Sequence, residues 1–149
     1  MSEFFLELFK NKVFLAAVTS WLIAQSIKVL LGIIREKRFN FKWFVGTGGM
    51  PSSHVAGVVA LATAVAFTRG ADSVAFAISL VFAIIVMFDA QGVRQATGVQ
   101  AEVLNEITAD IYFKRGLKEE KLKELVGHTP VEVLAGAVLG IIVALMFYK

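Results

Sequence analysis

The stretch VFLAAVTSWLIAQSIKVLLGII, Val13 to Ile34, decides the fold class. It is a run of 22 mostly apolar residues, interrupted by Thr19, Ser20, Gln25, Ser26 and Lys28. A membrane-spanning helix needs about 20 residues at 1.5 Å rise each, so this segment is long enough to cross. It is too long for a signal-peptide core, and Glu3 and Glu7 precede it without a basic leader. Phe4-Phe5-Leu6 with Leu8-Phe9 reads as a short helix at the membrane interface.

Three more apolar segments follow. Val55 to Thr68 and Ser73 to Phe88 are joined by the tight turn Arg69-Gly70-Ala71-Asp72, and Val131 to Tyr148 closes the chain. The two middle segments fall short of an ordinary span, which predicts extension by their flanks or packing in a bundle. Gly136 and Gly140 lie four apart, and Ala56, Gly57, Ala60, Ala62, Ala64 and Ala66 crowd the second segment. Small residues at this spacing let helix backbones approach closely in lipid. The fold class expected is all-α: a polytopic membrane helical bundle with about four transmembrane helices. Composition agrees, with 57% hydrophobic residues, thirteen Phe against two Pro, and a mean hydropathy of +0.72. Residues 1–149 read as a single integral membrane domain. With no cysteine, disulfides and thiolate metal sites are excluded.

Four crossings put both termini on one face. The opposite face carries Arg35, Lys37, Arg38, Lys42, Arg94, Lys114, Arg115, Lys118, Lys121 and Lys123, against Lys10, Lys12, Arg69 and Lys149 on the terminal face. Ten basic residues against four place the two loops in the cytoplasm. Val99, Val103, Leu104, Ile107 and Ile111 form an apolar stripe opposite Glu102, Glu106 and Asp110. The segment 98–125 is not apolar enough to span: 98–112 reads as an amphipathic cytosolic or interfacial helix, and Lys114 to Lys123 as a charged turn and short helix leading back to the bilayer. The acidic face reads first as solvated, with divalent cation binding as the alternative. Two separated histidines lack zinc-site spacing.

The chemistry-bearing residues fall near the loop-side ends of the apolar segments. His54 sits in Gly48-Gly49-Met50-Pro51-Ser52-Ser53-His54, and His128 in Gly127-His128-Thr129-Pro130-Val131-Glu132. Two imidazoles can divide the work of nucleophile and general acid in phosphoryl transfer. Serines at a helix start cap it and favour an anion. Lys28 and Arg35, seven apart, share a helix face; Lys28 is either a functional buried cation or a snorkelling side chain beside an interface anchor. Arg94 in Asp89-Ala90-Gln91-Gly92-Val93-Arg94 could clamp phosphate, pair with Asp89, or anchor at the interface. Thr129 and Glu132 are spaced as a capping box with Pro130 at the first helical position, and Glu132 is also four residues from His128.

These motifs resemble the type 2 phosphatidic acid phosphatase and vanadium haloperoxidase superfamily, closest to its small divergent acid-phosphatase-related branch. The resemblance covers nearly the whole chain. Lys28 and Arg35 have the spacing of its first motif, Pro51 to His54 match the second, and Arg94, His128 and Glu132 resemble the third. The sequence departs from the pattern at Glu36, Ser53, Val93 and Glu132, and 33 residues separate Arg94 from His128. The resemblance implies that His128 attacks phosphorus, Glu132 holds its ring, and His54 protonates the leaving oxygen. Lys28, Arg35, Ser52, Ser53 and Arg94 would bind phosphate, with Asp89 and Gly49 in support. No metal or other cofactor is implied.

The reading is a membrane-embedded phosphatase hydrolysing a lipid or isoprenoid phosphate monoester, with a diphosphate as a further option, through a phosphohistidine. The alternative is a non-catalytic membrane protein that binds phospholipid headgroups or scaffolds a complex. Expected partners are the lipid phosphate and membrane lipids, not nucleic acid, with a homo-oligomer left open. The expected location is a bacterial plasma membrane with the site facing the cytoplasm.

Overall fold

The computed structural model describes residues 1–37, 49–92, 98–105, 107–109 and 128–149. Five helices are bounded among them: α1 (Ser2–Lys10), α2 (Lys12–Glu36), α3 (Ser53–Arg69), α4 (Val74–Gln91) and α5 (Pro130–Met146). Each of the last four starts on a polar side chain that accepts from first-turn amides: Asn11, Ser52, Ser73 and Thr129. Such caps satisfy donors that a helix start otherwise leaves open. Residues 98–105 and 107–109 are helical as well. There Val99, Val103, Leu104 and Ile107 are exposed, so the described part of the apolar stripe is not buried within the bundle.

α3 is the central helix, packed against α2, α4 and α5, while α2 also meets α5. The reason lies in side-chain size. The fully buried positions of α3 are Val55, Ala56, Ala60 and Ala64; Ala60 and Ala64 cluster with Ala16 of α2 and Ala144 of α5, and Val55 with Ala90 of α4 and Val133 of α5. On α5, a Cβ at Gly136 would lie 2.5 Å from the Ser52 carbonyl oxygen, and one at Gly140 would lie 2.6 Å from that of Ala56. Backbone therefore packs on backbone, and Ser20 Oγ adds a buried 3.0 Å hydrogen bond to the Ala56 carbonyl. Interhelical bonds of this kind contribute about 0.6 kcal/mol on average in lipid.

Large side chains face outward instead. Phe82, Ile84, Ile85 and Phe88 on α4 are exposed, as are Leu30, Leu31 and Ile34 on α2, and Leu134, Ile141 and Ile142 on α5. A core of alanine and glycine beneath a coat of leucine, isoleucine and phenylalanine suits hydrocarbon surroundings and is unfavourable in water. α2 and α4 are long and apolar enough to cross a membrane by length and composition. α3 and α5 are apolar helices of 17 residues, about 25 Å long at 1.5 Å per residue.

The two ends of the bundle are tied differently. At one end Thr68 Oγ1 and Tyr148 Oη lie 2.7 Å apart, Phe67 stacks on Tyr148, and Lys12 Nζ sits over the same ring. At the other end the Ser52 amide donates to the Glu132 carbonyl, and the His128 amide donates to the Ala90 carbonyl, both at 3.0 Å. That second end holds the candidate site.

Candidate functional site

Met50-Pro51-Ser52-Ser53-His54 forms the turn into α3. Gly49 has φ +90°, a conformation that L side chains rarely adopt. Pro51, Ser52 and Ser53 are buried, and His54 is half-buried on the first turn of the helix. Ser52 Oγ is the cap, accepting from the Val55 amide at 3.5 Å. Its carbonyl meets Gly136, and its amide is held by Glu132, so α5 seats the turn from the side.

Lys28 turns inward. It is 7% exposed, and its Nζ lies 3.2 Å from Ser53 Oγ, donating to it. This corrects the snorkelling alternative: the ammonium reaches across to the Pro51–His54 turn instead of outward to headgroups. Gln25, one turn earlier on the same face, is also buried. Arg35 lies two turns beyond Lys28 in the last turn of α2, and its side chain is exposed.

His128 is buried just before α5. Its Nδ1 is 3.0 Å from Glu132 Oε2, and the same oxygen accepts the Thr129 amide at 3.0 Å. Thr129 Oγ1 in turn accepts the Glu132 amide, completing the capping box with Pro130 at the helix start. One carboxylate thus performs both roles that its spacing allowed. A carboxylate only accepts hydrogen bonds, so this contact puts a ring proton on Nδ1, and in the neutral imidazole Nε2 carries the lone pair. Nε2 of His128 and Nδ1 of His54 are both buried.

The structure therefore brings Lys28, Ser52, Ser53, His54, His128 and Glu132 to one end, carried by α2, α3 and α5. Asp89 is exposed in the last turn of α4; its neighbour Ala90 is buried and supplies the carbonyl that holds His128. Arg94, Glu106 and Asp110 lie outside the described residues, and Glu102 is exposed. Two features escaped sequence reading. Gln25 gave no motif, although its three-residue spacing from Lys28 signals a shared face. Gly136 signals a close contact, but not that the contact is with Ser52.

The cap and the imidazole contact can be separated by substitution. Thr129→Ala should cost about 1 kcal/mol of stability, as loss of an N-cap typically does. Glu132→Gln should leave stability nearly unchanged, because glutamine also completes a capping box, while altering the charge beside His128. Thermal unfolding in detergent checks both.

Residues 9–143 match the model of a family described as the divergent PAP2 family. The chain is also similar to the uncharacterized membrane protein YuiD of Bacillus subtilis (strain 168), at 42% identity over 154 residues, covering 95% of this chain and 96% of that one. No solved structure matches the chain.

Proposed function

The chain belongs to the divergent PAP2 family of phosphatase-related membrane proteins, and from that premise we propose that it hydrolyses a lipid or isoprenoid phosphate monoester through a phosphohistidine. What most supports the reading is the His128–Glu132 contact, built at the end of the bundle where Lys28 reaches Ser53. In this mechanism His128 Nε2 attacks phosphorus, and the bond from phosphorus to the lipid oxygen breaks. His54 gives its proton to that oxygen, and the lipid alcohol leaves. Water, deprotonated by His54, then attacks the phosphohistidine, releasing inorganic phosphate and restoring both imidazoles. Lys28 and the Ser52–Ser53 turn hold the phosphate oxygens, where charge stabilisation contributes most to phosphoryl transfer.

In the same reading α2, α3, α4 and α5 all cross the bilayer, with the site at the cytoplasmic face set by the basic residues. The lipid is then presented to the site from within the membrane, which explains why a phosphatase is this apolar.

The test is phosphate release by purified protein in detergent, without added metal, on phosphatidic acid, phosphatidylglycerol phosphate and polyprenyl phosphates. Turnover on one of them is expected. No turnover on any, with lipid-phosphate binding retained, would replace this reading with headgroup binding. The chain's departures from the family motifs, Ser53 in place of glycine among them, make that the reading to exclude. Lys28→Met gives a second check. It should raise KM about 10- to 100-fold, the equivalent of one charge-assisted hydrogen bond. Stability should be unchanged or higher, since the variant removes a buried cation from apolar surroundings.

A further inference from the structure

An apolar groove of about 510 Å³ runs along the outer seam between α2 and α5, and Met50 and Pro51 also line it. Its α5 wall extends from Val131 to Ile142, about 16 Å of helix. We infer that this groove holds the hydrocarbon chain of a phosphorylated lipid whose head lies at the Lys28–Ser53–His128 end. The inference rests on reading that end as a phosphomonoester site.

The argument is one of continuity. On all three segments the groove wall and the polar site are adjacent in the chain. Ile27 lines the groove and Lys28 faces the site; Pro51 lines it and Ser52-Ser53 follow; Val131 lines it and Glu132 is next. Successive residues on a helix point about 100° apart, so on α2 and α5 each pair sends one side chain to the outer seam and the other inward, while at Pro51-Ser52 the extended backbone ahead of α3 makes the same division. A molecule filling both places must be apolar along one end and anionic at the other, which describes a lipid phosphate. The outer face of α4 is equally apolar at Val81 and Ile85, yet the site residues lie on the other three segments. Apolarity alone therefore does not single out the α2–α5 seam; its adjacency to the cation and the imidazole does.

The experiment uses the full chain in phosphatidylcholine nanodiscs, with phosphatidic acid carrying a diazirine in its acyl chain as the probe. A matched diazirine phosphatidylcholine serves as the comparison. Phosphatidic acid labelling should concentrate on Leu134, Val138 and Leu139, about tenfold over Val81 and Ile85, a preference of ~1.4 kcal/mol. The phosphatidylcholine probe should spread over both surfaces. Ala135→Trp and Val138→Trp, which fill the groove, should each abolish the preference; if either variant misfolds by gel filtration, the wild-type labelling map decides alone. Equal labelling of the groove by both probes would overturn the inference, as would exclusion of both by a second copy cross-linked along this seam. Groove labelling without phosphate release would sink hydrolysis and leave the groove standing. Phosphate release with evenly spread label would do the reverse.

Discussion

His128→Ala should abolish phosphate release, lowering kcat by at least about 10⁴-fold, in the range seen when the nucleophile of a catalytic unit is removed. The physical case is that no other described side chain offers a nucleophile with its lone pair fixed by a carboxylate. The variant should fold normally. The bond from residue 128 to Ala90 is made by the backbone amide, and Glu132 keeps its hold on the Thr129 amide. Loss of activity with an unchanged unfolding midpoint would therefore report on the imidazole. His54→Ala should fall by about 10²–10⁴ on a lipid substrate, where the leaving alkoxide needs a proton. It should fall less on p-nitrophenyl phosphate, whose leaving group needs none, and there an acid-labile phosphoenzyme should accumulate. An alanine variant at 128 that kept a tenth of its activity would eliminate the phosphohistidine scheme.

Gly136→Leu should prevent α5 from seating, at a cost of at least about 3 kcal/mol, the upper end of overpacking effects. Even a methyl group there would lie 2.5 Å from the Ser52 carbonyl oxygen and 3.2 Å from Val55 Cβ. Neither neighbour can give way, because the Ser52 backbone amide is hydrogen-bonded to the Glu132 carbonyl and Val55 is fully buried. The lesion should take the site with it, since the carbonyl it displaces belongs to the turn that carries Ser53 and His54. Val138→Leu, two residues along on the outer side, should leave the unfolding midpoint unchanged. Equal midpoints for the two variants would mean that α5 is not packed on α3 through this glycine.

Much of this was legible in the chain because helix boundaries are written in local chemistry. Ser52 and Thr129-Pro130 announce helix starts wherever they stand, and the observed helices begin on them. The apolar runs from Val55 and Ser73 understated their helices, because Ser53, His54 and the Asp89–Gln91 turn are helical without being apolar. The direction taken by Lys28 was not legible. A lysine near a span end can reach headgroups or a partner, and only the approach of Ser53 from another helix decides between them. Glu132 was ambiguous for a different reason: the same spacing serves a cap and an imidazole, and one oxygen proved able to serve both.

The α3–α5 pair is fastened twice, by Ser52 to Glu132 at one end and by Thr68 to Tyr148 at the other. The fastenings are about 24 Å apart along α3, with both glycine contacts between them. A pair held this way cannot ratchet: a one-turn axial shift of about 5.4 Å would break both clasps at once. Any axial sliding in this bundle must therefore fall between other helices, with α3 and α5 moving as one unit.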